Sequence, residues 1–384
     1  MNDCSSSKIY PGNDFINDAK LSGTAAITLM HRPSPRERKA LKGLITRSLR
    51  RQGFQVRNNH ILPPADLSKE KFRELHRIAV GHRLAQAEPR LRRYEGTLLG
   101  KIASGDEVMP EKVTPRLVEV QPDSDEELLF RYCSLHWSIP VSSGYGRRLR
   151  FLVVDDQNEK LIGLFGLCDP VFSVAGRDTW IGWDFESRKR GLKHVMEAFI
   201  LGAVPPYSQL LCGKLVAMLC ASDEVRMAFH RKYGEGESVI RGTAADGRLA
   251  LITTTSALGR SSIYNRLRLG NRLIMQSVGF TSGWGEFQFT NGAYSRLHAY
   301  ASKYCEATAK QKSWGTGFRN RREVVRKCLS NLGLSDHLLH HGIKRELFAA
   351  PLAKNTREFL QGNRERLHWY HQPCEEIFQA FRTR

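Results

Sequence analysis

Two apolar runs near the middle of the chain, 151–154 and 160–167, are separated by Asp155-Asp156-Gln157-Asn158. Each run has the length and the Leu, Val, Ile and Phe content of a strand. The polar residues between them suit a turn, so the pair reads as an antiparallel hairpin. This hairpin places a β-sheet at the centre of the chain and restricts the folds that the flanking segments can join. Further strands are expected at Arg116–Val120, Thr179–Trp183, Leu249–Thr255 and Glu286–Phe289. Helices are expected from Ser124 through Tyr132, over Glu186–Leu201 and over Leu210–Lys232, the last two broken by Pro205-Pro206. Strands and helices mixed in this order give an α+β domain over residues 116–298.

The segments on either side are helical and basic. Residues 1–32 are rich in Ser, Asn, Gly and Asp and read as a flexible N-terminal arm, with a short strand at Thr24–Met30. Residues 33–115 read as a small helical domain. Its first helix is capped by Ser34, with Pro35 at the first position and Glu37 in the first turn, and it runs to Arg51 before Gly53. Leu41, Leu44, Ile45 and Leu49 line one side of it, while Arg38, Lys39, Lys42, Arg47, Arg50 and Arg51 line the other. Helices from Leu67-Ser68 and over Pro89–Ile102 follow. Residues 299–384 read as a C-terminal helical basic region. It holds helices at Asn320–Leu332, at Ser335–His341, after Pro351 around Phe359 and Leu360, and at Cys374–Phe381.

Charge narrows the partner. The chain carries 59 Lys and Arg against 39 Asp and Glu, a formal net charge of +20. An excess of that size favours a polyanion, most simply nucleic acid, through release of condensed counterions. No run of about 18 apolar residues is present, so no membrane span is expected. The N-terminus lacks the charged and apolar regions of a signal peptide. The eight cysteines form no Cys-x-x-Cys pair and read as reduced thiols of a cytoplasmic protein.

The stretch Gly144–Ala217 is denser in Gly, Arg and Trp than a core requires. Arg147, Arg148 and Arg150 precede the first hairpin strand, with Gly144 and Gly146 keeping the backbone open. Guanidinium groups so placed suit phosphate oxygens, or else ion pairs with Asp155, Asp156 or Asp178. Ser187–Lys193 falls at an expected strand-to-helix turn, where free N–H groups and cations hold anions. Arg260 and Arg266 lie in a hydroxyl-rich loop that suits phosphate and sugar contacts, or caps a surface helix. The phosphate-contacting set is therefore Arg147, Arg148, Arg150, Arg177, Arg188, Lys189, Arg190, Lys193, Lys214, Arg260 and Arg266. Trp183 or Tyr207 would stack on a base.

Carboxylates offer a second chemistry. Asp155, Asp156, Asp169, Asp178 and Asp184 fall at expected strand ends, where they would hold Mg²⁺ for a two-metal nuclease or serve as turn residues and arginine partners. Asp178, Asp155 and Asp184 are the catalytic candidates. His368-x-x-His371-x-x-Cys374 has ligand-like residues, but Pro373 interrupts any helix and no fourth ligand is evident, so no metal centre is assigned. Gly-x-Ser-x-Gly, Walker A and Cys–His signatures are absent.

Two resemblances bear on these readings. Arg188-x-x-Gly191 is similar to the phosphate-binding turn of the GNAT acetyltransferases, with Lys193 where that motif carries Gly or Ala. The expected order of hairpin, strand, basic turn and helix is GNAT-like as well, which implies a GNAT-like mixed sheet. A longer set of segments resembles the DruA family of the Druantia anti-phage system. These are 146–153, 161–163, 169–172, Arg177-Asp178 with 181–183, 202–207, 213–215, 256–266 and 341–346. The resemblance covers most of the chain beyond the first 30 residues. It implies a role in bacterial antiviral defence beside other Druantia proteins, including a large helicase-like subunit. The family's domain also occurs in transposon-associated proteins and brings no catalytic residues to transfer. Three readings follow: a nucleic-acid-binding defence component, with DNA favoured and no cofactor; a Mg²⁺-dependent nuclease or a GNAT-type acyltransferase; and a structural hub that docks acidic partners or forms a homo-oligomer.

Overall fold

The computed structural model describes residues 32–141, 144–235, 246–290, 293–308 and 317–383. The expected arm before Arg32 and the strand at Thr24–Met30 lie outside the described residues. The first element, α1 (Pro35–Arg51), begins with a complete capping box: Ser34 Oγ accepts from the Glu37 amide and Glu37 reaches back to the Ser34 amide. A hairpin follows, β1 (Gln55–Arg57) and β2 (His60–Leu62), closed by Asn58 and Asn59 at φ 47° and 61°. Two consecutive left-handed residues make the tight turn whose twist matches the strands. Next come α2 (Lys69–Leu91), α3 (Glu95–Leu99), β3 (Pro115–Glu119) and α4 (Asp125–Leu135). Helix α2 continues through Pro89 to Leu91, where the proline motif had suggested a new helix.

The expected central hairpin forms as β4 (Arg148–Asp155) and β5 (Lys160–Cys168), antiparallel with Phe151 opposite Phe165. After it the chain departs from expectation. Residues 179–183 were expected to be a strand, yet Ala175–Ile181 is a helix, α5, stopped by Gly182 at φ +84°. Its N-terminal Val174 amide donates to the Asp178 carboxylate, a local bond that favours the helical turn over extension. The helix expected over Glu186–Leu201 stops at Gly191 as α6 (Phe185–Gly191), and Val195–Ala203 is strand β6. Glu197 apart, that run is apolar on both faces because sheet neighbours and helices cover it, so its pattern does not separate strand from helix.

Helices α7 (Cys212–Leu219) and α8 (Asp223–Tyr233) lead to β7 (Leu251–Thr255), the small pair β8 (Arg268–Leu269) and β9 (Arg272–Leu273), and β10 (Gln276–Phe280). Phe287–Phe289, expected as a strand, is a single 3-10 turn. Helices α9 (Tyr294–Tyr304) and α10 (Arg321–Leu332) precede another 3-10 turn at Asp336–Leu339, where a longer helix was expected. Glu346–Pro351, inside the stretch expected to be helical, is strand β11. Its six residues are all buried, which hides the alternation that marks a strand. Helices α11 (Thr356–Gln361) and α12 (Cys374–Arg382) complete the chain.

Seven strands form one mixed sheet in the order β10-β11-β7-β6-β5-β4-β3, antiparallel throughout except for the parallel β6–β7 pair. The fold is thus α+β, with a mixed central sheet and helices packed around it. One sheet face carries Phe151, Phe165 and Met196 against α7, α8 and α12. The other carries Leu152, Leu164 and Ile200 against α4. A separate core joins α1, β2 and α2 to α9 and α10, through Leu41, Ile45, Leu49, Phe72, Leu297, Val325 and Leu329. A smaller cluster links α5 and α11 to β6, β7 and β11 around Ile181, Trp183 and Phe359. No helix among the described residues is long and apolar enough to cross a membrane.

A candidate nucleic-acid interface

Helix α1 buries Leu41, Ile45 and Leu49 and turns its remaining faces outward. Arg36, Lys39, Arg47, Arg50 and Arg51 are exposed, and Lys42 is half-buried. The only carboxylate in the helix, Glu37, is already engaged. It accepts from Tyr304 Oη at 2.7 Å and pairs with Lys303 Nζ at 3.3 Å. The Tyr304 hydroxyl, with the Ser34 cap, holds the Glu37 carboxyl down to about 2. Arg38 donates to the Asn331 carbonyl at 3.2 Å. The other cations of α1 form no ion pair with any described residue. Beside the C-terminal end of the helix, Arg50, Gly53, Phe54, Gln55, Val56 and Arg57 line a shallow hollow of about 440 Å³. The result is a cationic surface about 25 Å long, from a helix of 17 residues.

The central block behaves differently. Gly146 at φ +65° brings the backbone against Asp169, which accepts from the Arg147 amide at 3.1 Å and from Arg147 Nε at 2.7 Å. The Arg147 guanidinium also donates to the Lys193 carbonyl and lies over the Phe229 ring. Arg150 pairs with Glu127 at 2.6 Å. Half-buried Arg148 donates to the Gly144 carbonyl. Arg177 is 1 % exposed and bonds to Asp178 and to the Val171 and Phe172 carbonyls. Arg188 pairs with Asp178 from the other side at 3.1 Å. These arginines are therefore tied to neighbouring carboxylates and carbonyls, but the partners of Arg147 and Arg150 are Asp169 and Glu127 rather than the expected Asp155, Asp156 or Asp178.

Trp183 and Tyr207, expected as stacking faces, are buried. Trp183 Nε1 donates to the Leu360 carbonyl, and Tyr207 Oη donates to Asp155 at 2.7 Å. Both rings lie in apolar clusters, which is where their burial is most favourable. The segment Arg188–Lys193 occupies the last turn of α6 and the 3-10 turn leading into β6. Carbonyls rather than amides are free at such an end, so no strand-to-helix phosphate turn forms there. Lys189, Arg190 and Lys193 nonetheless reach the surface, as do Arg260 and Arg266. Lys193 lies 3.7 Å from Asp246, and Arg260 lies over the Phe280 ring. Lys214 is half-buried on α7.

The catalytic candidates have separate tasks. Asp155 is fully buried and accepts from the Thr114 amide, Gln157 and Tyr207. Asp178 accepts from Arg177, Arg188, Ser173 and the Val174 amide. Asp184 caps α6 by accepting from the Ser187 amide and hydroxyl, bonds that lower its carboxyl below the usual range. No cluster of three or more His, Cys, Asp or Glu with metal-holding geometry occurs among the described residues.

The geometry can be set beside known proteins. The family model described as "Druantia protein DruA" matches residues 66–362. The chain belongs to the DruA family. A curated relative, Druantia protein DruA of Escherichia coli (strain UMEA 4076-1), is 40% identical over 321 residues, covering 84% of this chain and 80% of that protein. No solved structure matches the chain. The DruA match includes the whole sheet together with α5 and α6, whereas α1 and the β1–β2 hairpin precede it. Within the matched span, sequence reasoning passed over Phe172 and Phe185. These rings are 41% and 58% exposed and lie beside Arg188. The signal available was their position: both lie outside any apolar period, one after Asp169-Pro170 and one after Asp184.

Proposed function

We propose that this DruA-family protein, a component of the Druantia anti-phage defence system, binds nucleic acid through the cationic face of α1 and the hairpin beside it. DNA is the favoured ligand. One observation carries the reading: Lys39, Arg47, Arg50 and Arg51 face solvent along one helix with no carboxylate partner among the described residues. Cations left unpaired on a rigid element repel one another, and a phosphate backbone relieves that repulsion while releasing counterions. Small residues, Ala40 and Gly43, lie between the cations of this 17-residue helix, and the major groove of B-DNA is wide enough to admit an α-helix. In the defence system it would act with other Druantia components, a helicase-like subunit among them. The nuclease reading lacks comparable support, because the acceptor positions of Asp178 are filled by protein donors.

The test is a salt titration. Replacing Lys39, Arg47, Arg50 and Arg51 by Ala lowers affinity for labelled DNA. It also flattens the plot of log affinity against log salt, by about 0.9 for each phosphate contact removed. A variant with unchanged helix content by circular dichroism, unchanged affinity and unchanged slope would overturn the assignment to α1.

A further inference from the structure

We infer that Phe172 and Phe185 form a stacking platform for the bases of single-stranded nucleic acid, flanked by Lys189, Arg190 and Lys193 for the phosphates. The inference rests on the nucleic-acid reading above and assigns it a second, chemically distinct contact. The two rings sit edge to face with centroids 5.7 Å apart, and each leaves a large part of its surface in water. Val171 beside them is 43% exposed. Large apolar groups gathered at a surface mark a contact site.

The platform is held from beneath by buried ionic groups. Arg188 lies 4.7 Å from the Phe172 centroid and 5.7 Å from that of Phe185, and its Nε is buried without a hydrogen-bond partner. The guanidinium plane therefore serves the rings, while Nη1 is anchored on Asp178. The same carboxylate holds Arg177, whose Nη1 and Nη2 fix the carbonyls of Val171 and Phe172 at 2.7 and 2.9 Å. Both the backbone and the ring of Phe172 are thus set before any ligand arrives, which lowers the ordering cost of binding.

Charge identifies the occupant. Arg188, Lys189 and Arg190 are consecutive on α6, and Lys193 follows one turn later. Of the nearby acids, Asp184 is committed to the helix cap and Asp178 to the two arginines, while Asp246 lies 3.7 Å from Lys193 and Glu186 is exposed in the first turn of α6, so the cations still outnumber the exposed acids here. Aromatic faces interleaved with cations suit a polyanion carrying flat rings. Bases inside a duplex are stacked on one another, so only an unpaired strand offers faces to Phe172 and Phe185.

The experiment compares the full chain with a Phe172→Ala/Phe185→Ala variant, using fluorescence anisotropy on a labelled oligothymidine and on a labelled duplex. The expected result is a loss of single-strand affinity of about tenfold or more. Duplex affinity, salt slope and melting temperature stay unchanged. Phe172→Tyr/Phe185→Tyr restores the single-strand affinity, and a Phe185→Trp variant shows fluorescence quenching on adding oligothymidine. Single-strand affinity that survives the alanine variant, while the α1 variant loses it, overturns the platform and leaves the α1 reading intact. An equal loss on both ligands also overturns it, as does an altered oligomeric state with binding unchanged. If the unmodified protein binds neither ligand, both proposals fall.

Discussion

Asp178 shows how one side chain changes meaning once its neighbours are known. In the sequence it is a carboxylate beside an arginine and a tryptophan, a plausible metal ligand. In the fold it is 6% exposed and receives two guanidinium groups, a hydroxyl and a backbone amide. Removing it takes from Arg177, itself 1% exposed, the carboxylate it is paired with. Asp178→Ala is expected to cost about 3–5 kcal/mol, read as a lowered midpoint in urea unfolding. The arginines around it were legible as a group but not individually. Arg150 meets Glu127 and Arg147 meets Asp169, partners 23 and 22 positions away, and no local pattern reveals such pairings. The same holds for the exposed Phe172 and Phe185, because sequence shows ring identity but not ring exposure.

At the scale of elements, legibility follows the strength of local chemistry. Helix α1 was readable because cap, proline, first-turn acid and apolar period agree, and the same is true of α10 between Asn320 and Gly333. The β4–β5 hairpin was readable from two apolar runs and a polar turn. The β1–β2 hairpin was passed over although Asn58-Asn59 is a turn signal, because each strand spans only three residues. Strands β6 and β11 were not readable as strands because burial on both faces erases the period of two. Ser34→Ala, which removes the cap of α1, is expected to cost about 1 kcal/mol. Differential scanning calorimetry of the full chain measures it.

Across the whole molecule, two cores meet different parts of the chain: one built on the sheet, the other joining residues 41–75 to residues 289–343. Buried imidazoles link both to pH. His76 in the α2 region and His194 before β6 are 4% and 6% exposed, and burial lowers each from an ordinary 6.5 to about 4. His341 is lowered further, to about 3, again by burial first. These groups are neutral in the folded chain, whereas the unfolded chain takes up protons below 6.5. Their stabilisation is therefore complete above pH 6.5 and is lost as pH falls from there towards 4. Near pH 5 the loss is about 2 kcal/mol for His76 and for His194, visible as lower urea midpoints than at neutral pH. Strand β11 carries a consequence of another kind. It lies between β7 and β10, yet it is supplied by residues 346–351. A nascent polypeptide leaving the ribosome thus presents β7 with a naked margin until residues 346–351 have emerged. Between the emergence of β7 and that of β11 the margin is open to chaperones and to wrong strands from neighbouring chains.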